Sequence, residues 1–513
     1  MKSSFLTIGL GFVLLLSLLG ACSSQEQEKE EASKRVTILY FNDFHGHLLP
    51  FKRFYGDEQL SGGIARIAFW VKKIRAENDI KGIDTLLFSG GDNIQGTPIS
   101  TAFKGEVEIS AFNLIQLDAS VVGNHDFDFG FDNLMKLKQL AKFPFLSANI
   151  HKPNSLDPVF KATKRIKTKH GLRVGVIGLT TPETTITTHP RNVANLRFSP
   201  PALAMQMVLS SLDKKTDLLV VLSHLGITQD KQIAGDYPEI DVIIGGHTHT
   251  LLSDPLYVGQ VMVTQAGDRG LYLGRLDLEI KDDRARMISS SLIPIRDYSP
   301  EDTETKLLVE KYQSHLSAEI TKKIGETNQV FDGERASIRT QETNLGDLIT
   351  DLIRIYTKTD VVLLNSGAIR ASLLPKVITM ENIMMVFPMN NEIVTMELTG
   401  QELLYALTRS VKGAANMGPG EYFGGFLQVS GVRFSAKNGK VQNVTVNDKP
   451  LDFYRTYKVA TIDFLAAGGD GYKELQEGVN RYEMGVTLRD LIIDHLRDNP
   501  VLRKDTDGRI QTK

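Results

Sequence analysis

Short apolar segments alternate with amphipathic ones through the first half of the chain, and this alternation indicates the fold class. The apolar segments are rich in β-branched residues and are apolar on both faces, which is typical of buried strands. Six of them cover residues 36–41, 84–89, 119–122, 172–179, 217–223 and 241–245, and two further strand candidates follow at residues 259–267 and 272–280.

The segments between these strands have helical periodicity. In residues 63–78, apolar side chains recur at Ile64, Ile67, Val71 and Ile74, which places them on one face of a helix. Strands that alternate with helices predict a layered α/β domain, and we assign it to residues 36–295.

A long polar segment separates this domain from the rest of the chain. Residues 301–323 contain no strand pattern and predict a connector helix, which we assign to residues 296–323; the alternative is a surface helix of either domain. A second α/β domain is expected over residues 324–513. Its predicted helices cover residues 345–356 and 399–411, and its predicted strands cover residues 361–367 and 457–463.

The N-terminus has the pattern of an export signal. Lys2 precedes an apolar stretch, residues 5–19, that is too short to cross a bilayer comfortably as a permanent helix. The stretch ends in Leu19-Gly20-Ala21-Cys22, which resembles a bacterial lipoprotein processing site. We therefore expect a signal peptide at residues 1–22, lipidation of Cys22 and a polar, flexible tether at residues 23–35. The alternative is an ordinary signal peptide that contains a cysteine.

This assignment predicts an exported protein that is anchored in the bacterial cell envelope, at its periplasmic or extracellular face. Cys22 is the only cysteine among the 513 residues, so no internal disulfide can form. With 42% hydrophobic and 23% charged residues, the composition is that of a globular protein. The net charge of −2 gives no reason to expect a nucleic-acid polymer as partner, although a small anion remains possible. No oligomeric state is predicted.

Polar residues with metal-binding chemistry follow five of the predicted strands, at the point where each strand ends. Side chains beyond the carboxyl ends of strands collect at one edge of an α/β sheet. Asp, His and Asn suit divalent ions such as Mn, Zn, Fe or Co, and a carboxylate can bridge two of them. The residues are Asp43 and His45; Asp92; Asn124, His125 and Asp128; His224; and His247 and His249.

These motifs resemble the calcineurin-like metallophosphoesterases, and within them the 5′-nucleotidase and UDP-sugar hydrolase family, over residues 36–490. The resemblance implies a layered α/β/β/α metal domain, joined by a helix to a smaller α/β substrate-binding domain. It also implies two divalent metal ions that share Asp92. The first ion would be held by Asp43, His45, Asp92 and His249, and the second by Asp92, Asn124, His224 and His247.

The resemblance also assigns chemical roles. The two cations would polarise the phosphoryl oxygens and lower the pKa of a bound water. His125 would stabilise the transition state or protonate the leaving oxygen, and Asp128 would orient its ring. His47 is expected behind the metal ligands or at the surface. Surface or packing positions are expected for His151, His170, His189, His315 and His495.

A substrate site follows from the second half of the same resemblance. Arg335, Arg339 and Arg370 fall on positions that bind the phosphate, for which a guanidinium group is well suited. The other expected substrate contacts are Asn365, Met389, Asn391, Phe464 and Asp470.

Met389 departs from the family pattern. The family clamps the nucleobase between two phenylalanines, of which Phe464 is one; the other is replaced by the methionine in Pro388-Met389-Asn390-Asn391. A methionine packs on a ring through its sulfur but stacks less than an aromatic side chain. Phe387 could compensate, although strand alternation would direct it to the other face. A weaker clamp would permit a broader range of substrates.

The expected activity is hydrolysis of nucleoside 5′-monophosphates to nucleoside and phosphate. Other esters on the same fold remain open: a 2′,3′-cyclic nucleotide phosphodiesterase, a UDP-sugar hydrolase or a thiohydrolase. The substrate residues named above favour nucleotides over the thiohydrolase. A non-catalytic surface-binding lipoprotein is the third alternative, but a pure binder would need neither the metal ligands nor the pair of His125 and Asp128.

Overall fold

The structure is a computed structural model that describes residues 33–52, 59–211, 216–281, 284–316 and 318–512. The signal peptide predicted at residues 1–22, its lipidation site Cys22 and residues 23–32 of the predicted tether lie outside this part. The first strand begins at Lys34, two residues before the predicted start. Within the described ranges, no helix combines the length and the apolar character needed to cross a bilayer.

The first domain contains two six-stranded sheets. The first sheet has the spatial order Arg284–Pro294, Tyr272–Lys281, Lys34–Phe41, Asp84–Ser89, Ala119–Val121 and Phe145–Leu146. The second sheet has the order Leu256–Val258, Val261–Thr264, Val242–Ile244, Leu218–His224, Arg173–Thr180 and Thr163–Lys167. Two short antiparallel pairs join Phe51–Lys52 to Leu60–Ser61 and Ile150–His151 to Arg197–Phe198.

Alternation along the strands explains the packing of the two sheets. Val36, Ile38 and Tyr40 of the strand Lys34–Phe41 face the core between the sheets, whereas Leu39 and Phe41 face the helices. Because both faces are apolar, each sheet is covered on both sides. The result is the four-layer α/β/β/α arrangement, and it confirms the predicted fold class.

The outer layers are formed by helices on each side. Those packed on the first sheet are Ile64–Ile80, Pro98–Phe103, Glu106–Leu114 and Phe131–Leu140. Those packed on the second sheet are Pro201–Ser211 and Ile227–Asp236. A short helix at Thr184–Thr187 and a 3-10 turn at Pro190–Asn192 lie between Arg173–Thr180 and Arg197–Phe198.

The helix expected over residues 301–323 is shorter than predicted. It covers Thr303–Gln313, is capped by Asp302, and is followed by a 3-10 turn at Ala318–Thr321. It packs against the helices Ile64–Ile80 and Glu106–Leu114, so it belongs to the outer layer of the first domain. The chain then enters the strand Lys323–Thr327, because pairing with Lys376–Thr379 overrides the polar composition of this segment.

The second domain is built around a five-stranded sheet. Its spatial order is Leu427–Ser430, Val361–Asn365, Thr456–Ile462, Glu392–Thr399 and Val479–Thr487. A three-stranded sheet joins Lys376–Thr379, Lys323–Thr327 and Val501–Leu502, and a four-stranded sheet joins Lys449–Pro450, Lys440–Val446, Val432–Lys437 and Ile510–Thr512. Its longer helices are Asn344–Thr357, Met380–Val386, Gly400–Ala415 and Leu488–Asp498, and the short ones are Arg335–Ile338, Asp463–Ala466 and Lys473–Gln476.

Strand direction brings the polar motifs together. The strands Lys34–Phe41, Asp84–Ser89 and Ala119–Val121 are parallel neighbours, as are Leu218–His224 and Val242–Ile244. Their carboxyl ends therefore meet at one edge of the two stacked sheets.

Candidate metal centre and substrate cavity

The loops that follow these strands are held in an unusual backbone conformation. Five of the seven predicted metal ligands have φ in the left-handed region, namely Asp43 at 48°, His45 at 47°, Asp92 at 51°, His247 at 74° and His249 at 58°. Residues other than glycine adopt this region at a cost of about 1–3 kcal/mol, and such strain clusters at functional sites. This strain lowers the stability of the fold, and it occurs at residues whose side chains meet at one site, as described below.

Asp43, His45 and His249 form a first group of donor atoms. Nε2 of His249 lies 3.3 Å from Nε2 of His45 and 3.3 Å from Oδ1 of Asp43. All three side chains are at most 11% exposed.

Asp92, Asn124, His224 and His247 form a second group. Nε2 of His224 lies 3.1 Å from Oδ2 of Asp92 and 3.2 Å from Oδ1 of Asn124. Nδ1 of His247 lies 3.0 Å from the same Asn124 oxygen. The amide nitrogen of Asn124 donates to the carbonyl of Thr187, which turns its oxygen toward the two histidines.

Asp92 lies between the two groups. Its Oδ2 is 3.1 Å from Nε2 of His224 and 3.9 Å from Nε2 of His45, while its Oδ1 accepts the main-chain N–H of His125. One carboxylate thus reaches donor atoms of both groups, as the predicted bridge requires.

The hydrogen-bond pattern fits bound cations. The Asp268 carboxylate accepts from Nδ1 of His249, and the carbonyl of Gly90 accepts from Nδ1 of His224. In the neutral rings the Nε2 atoms of both histidines therefore carry lone pairs, and these face other acceptors. Such converging lone pairs need a positive charge between them: although burial opposes it, the Asp92 carboxylate raises the pKa of His224 to about 10. A divalent cation, which the set of Asp, His and Asn suits, would take the place of that proton.

The support behind these groups includes residues that the sequence did not single out. Asn42 donates to Oδ2 of Asp43, and Asp268 fixes the ring of His249. Although burial opposes it, the hydrogen bond from His249 and the charge of Arg269 lower the pKa of Asp268, so this carboxylate is ionised. Asp268 directly follows the predicted strand 259–267, so the same strand-end signal could have identified it.

His125 and Asp128 form the expected pair beside the metal centre. Nδ1 of His125 donates to Oδ2 of Asp128 at 2.7 Å, and the hydroxyl of Thr188 donates to the other carboxylate oxygen. Nε2 of His125 accepts from Nη2 of Arg370 at 2.8 Å. This ring nitrogen is therefore the proton-accepting atom that faces the second domain.

Arg335, Arg339 and Arg370 reach across from the second domain to this edge. Each has a buried Nε–H without a hydrogen-bond partner, which is costly unless an anion is bound. Burial and the neighbouring Arg370 lower the pKa of Arg335 to about 10, and burial likewise lowers the pKa of Arg339 and of Arg370. Three neighbouring cationic groups, each with a buried N–H that has no partner in the described part of the protein, form a suitable binding site for a phosphate.

A cavity of about 430 Å³ extends from the metal centre between the two domains. It is lined by the remaining predicted substrate residues, and by residues the sequence did not identify, among them His189, Tyr422 and Phe423. The amide of Asn365 donates to Asp470 at 2.7 Å, and burial raises the pKa of Asp470 to about 6. The predicted residues are Asn365, Met389, Asn391, Phe464 and Asp470.

Phe387 does not compensate for Met389. It directly follows the helix Met380–Val386, is 1% exposed and packs in the core of the second domain. Residues 387–391 form a loop after a helix, so strand alternation does not apply to them. Met389 itself lines the cavity, together with Phe464 and Phe423.

Four histidines outside the predicted metal ligands differ in where they lie relative to the cavity. His47 is buried and donates from Nδ1 to the carbonyl of His45, so it lies behind the metal ligands. His151 is buried beside Ser199, and His170 pairs with Asp84 at 3.0 Å far from the cavity. His189 lines the cavity, in contrast to the surface or packing position expected for it.

Gly123 shows how tightly the centre is packed. A Cβ atom at this position would lie 2.2 Å from Oδ1 of Asp92 and 2.4 Å from its main-chain nitrogen. Gly123→Ala is therefore expected to displace Asp92 and to lower kcat/KM about 100-fold, because misplacing a reacting group by about 1 Å costs that much. The matched control is Gly235→Ala, where the nearest atom would be 3.7 Å away. Equal activity of the two variants would contradict the assigned packing.

Three comparisons with known proteins agree with this geometry. Residues 36–251 match the family described as calcineurin-like phosphoesterase, and residues 323–477 match the family described as 5′-nucleotidase, C-terminal domain. The chain is 29% identical to protein UshA of Salmonella pullorum, over 97% of each chain, and 29% identical to a 5′-nucleotidase of Vibrio vulnificus, over 94% of each. The crystal structure of a 5′-nucleotidase precursor from Thermus thermophilus superposes with a TM-score of 0.85 at 31% identity, covering 93% of this chain and 99% of the other.

Proposed function

Because the chain belongs to the 5′-nucleotidase family of calcineurin-like phosphoesterases, we propose that it hydrolyses nucleoside 5′-monophosphates to nucleoside and phosphate. The proposal rests on one observation: the metal-binding side chains, the arginines and the cavity meet at one place. Two groups of metal-binding atoms share Asp92, three arginines with orphaned donors face them, and a cavity lined by Phe464 continues from both.

Seven side chains would hold two divalent cations, with manganese, zinc, cobalt and iron as candidates. When bound, the cations polarise the phosphoryl oxygens and supply an activated water. The first cation would be held by Asp43, His45, His249 and Asp92. The second would be held by Asp92, Asn124, His224 and His247.

The arginines position the phosphate. Guanidinium groups donate paired hydrogen bonds and keep their charge, so Arg335, Arg339 and Arg370 bind the phosphoryl oxygens and neutralise them. Binding of the anion draws the guanidinium of Arg370 onto the phosphate and leaves Nε2 of His125 free to hold or deliver a proton. Asp128 and Thr188 keep the ring in the orientation that this proton transfer needs.

The nucleoside occupies the cavity of about 430 Å³, where its base lies on Phe464 and beside Met389. Asp470, held by Asn365, accepts from the ribose hydroxyls or from the base. Contacts that do not touch the phosphorus still help to orient it, and correct orientation alone can lower the activation barrier by several kcal/mol.

A second candidate substrate class is the sugar nucleotides. Another cavity, of about 770 Å³, adjoins the first at His249, Arg335 and Arg370. A further group on the phosphate, such as the sugar phosphate of a UDP-sugar, therefore has room in this second cavity. This observation supports UDP-sugar hydrolysis as an additional activity of the same centre.

We also propose that the protein is exported and held in the cell envelope by lipidated Cys22. The apolar stretch at residues 5–19 and the small residues before the only cysteine support this. Mass spectrometry of the mature N-terminus tests it: acylated Cys22 is expected, and a chain that begins elsewhere would contradict the anchor.

A substrate panel tests the activity. AMP, ATP, UDP-glucose, 2′,3′-cyclic AMP and a non-nucleotide ester are each offered with Mn, Zn, Co or Mg, and with a chelator as the control. AMP is expected to have the highest kcat/KM, and chelation is expected to abolish its hydrolysis. A clear preference for the cyclic or the non-nucleotide ester, or activity that survives chelation, would overturn the proposal. No turnover with any metal would favour a non-catalytic binding protein.

Arg370→Ala tests the phosphate site. Removing a guanidinium that makes charge-assisted hydrogen bonds, each contributing about 1.5–3 kcal/mol, is expected to raise KM for AMP by about 10- to 100-fold. Metal content, measured by elemental analysis, should stay normal. The matched control is Arg455→Ala, since Arg455 is half exposed and pairs with Asp360 away from the cavity. An unchanged KM would show that the phosphate binds elsewhere.

A further inference from the structure

His189 lies where a loop of the first domain meets the base end of the cavity. It stands between the short helix Thr184–Thr187 and the turn Pro190–Asn192. This loop packs against the turn Gly469–Gly471 of the second domain. His189 is thus a group of the metal domain that reaches the nucleoside-binding domain.

The imidazole of His189 is oriented on one side by its own loop. Its Nδ1 accepts the main-chain N–H of Arg191 at 3.3 Å, so the proton of the neutral ring lies on Nε2. Nε2 lies 3.6 Å from Oδ2 of Asp463. The ring therefore presents an N–H donor beside a carboxylate oxygen.

Asp463 is fixed in turn by the second domain. Its Oδ1 accepts from the amide of Asn391 at 3.2 Å and from the main-chain N–H groups of Glu392 and Phe464 at 3.2 and 2.9 Å. Three donors occupy that oxygen, which leaves Oδ2 for His189 and for a ligand. Burial opposes ionisation, but His189 and Asn391 lower the pKa of Asp463, so its carboxyl group is charged.

Both side chains lie beside the aromatic wall of the cavity. The ring of His189 is edge-on to that of Phe464, with centroids 6.5 Å apart and planes at 66°. A base that lies on Phe464 presents its polar edge outward, toward groups placed at the rim of that ring. His189 and Asp463 are 16% and 12% exposed, which leaves them only partly solvated and available for such an edge.

We propose that His189 is a specificity-determining residue of the base site: with Asp463 it offers a donor and an acceptor to the polar edge of a nucleobase stacked on Phe464. Every nucleobase carries adjacent hydrogen-bonding groups on its edge, so this pair distinguishes nucleotides from phosphate esters that lack a base. Because the two residues belong to different domains, a bound base also ties the domains together over the metal centre. The inference rests on the proposed function.

The test compares AMP with ribose 5-phosphate, which carries the same phosphate and sugar without a base. His189→Ala is expected to lower the ratio of kcat/KM for AMP over ribose 5-phosphate about tenfold, the effect of one hydrogen bond to a charged or polar partner. The change should fall mainly on KM for AMP. His189→Gln, which restores a side-chain N–H donor, should recover most of the ratio.

The matched control is His170→Ala, which breaks a histidine–aspartate pair of the same domain far from the cavity. It should leave the ratio unchanged. Equal losses for both substrates in His189→Ala would show a purely structural role and overturn the inference, as would an unchanged KM for AMP. Failure of the proposed function is seen separately, in the wild-type protein, as an absence of AMP hydrolysis; in that case the inference falls with it.

Discussion

Asp92→Ala is expected to abolish AMP hydrolysis, leaving no more than a few per cent of the wild-type rate in buffer saturated with metal. The carboxylate of Asp92 reaches both groups of donor atoms, at 3.1 Å from Nε2 of His224 and 3.9 Å from Nε2 of His45. Without Asp92, neither group keeps its full set of ligands. The main-chain N–H of His125 also loses the carboxylate oxygen to which it donates. Initial rates with AMP and elemental analysis of the purified variant measure both effects.

The control for Asp92→Ala uses the opposite edge of the sheets. Asp217 precedes the strand Leu218–His224, pairs with Lys34 at 3.0 Å and is buried like Asp92. Asp217→Ala removes a buried carboxylate of the same domain, so it is expected to lower thermal stability but to keep the activity per folded molecule. More than a few per cent of residual activity in Asp92→Ala would contradict the shared metal centre.

His125→Gln is expected to lower kcat for AMP by about 10²- to 10⁴-fold, the usual contribution of a positioned acid or base. The ring of His125 is fixed by Asp128 at 2.7 Å and faces Arg370 through Nε2, so glutamine keeps a polar side chain but cannot carry the proton. Metal content and KM should change by no more than a few fold. A fall in kcat of less than tenfold would rule out a catalytic role for His125.

The choice of substrate separates the two roles considered for His125. p-Nitrophenyl phosphate has a leaving group that needs no proton, whereas the 5′-oxygen of a nucleoside does. If His125 protonates the leaving oxygen, His125→Gln should lose much less activity with p-nitrophenyl phosphate than with AMP. If His125 stabilises the transition state by charge, both substrates should lose activity to a similar extent.

Most strands of the two large sheets could be predicted because most of them are buried on both faces. The predicted segment 84–89 coincides with Asp84–Ser89, and the segments at 172–179 and 217–223 differ by one residue from Arg173–Thr180 and Leu218–His224. Four strands of these sheets were missed: Phe145–Leu146, Thr163–Lys167, Leu256–Val258 and Arg284–Pro294. The last of these, Arg284–Pro294, lies at the edge of the first sheet, where none of its residues is fully buried, and its serines carry no apolar signal.

The sequence alone was enough to predict the fold class and to place the candidate metal ligands at one edge of the sheets. The reason is local: an apolar run that ends in Asp, His or Asn encodes both a buried strand and the polar side chains just beyond its carboxyl end. The structure places all seven predicted ligands in two adjoining groups. Their assignment to individual ions remains a prediction.

Only the tertiary structure decided which residues complete the site from a distance. His189 beside Asp463 is recognisable only once the loops are packed. Likewise, the end of the helix Thr303–Gln313 follows from pairing of the next segment with a strand about fifty residues further along the chain. Periodicity reports how a segment faces its own sheet or helix; it carries no information on which distant side chain will fill the space between two domains.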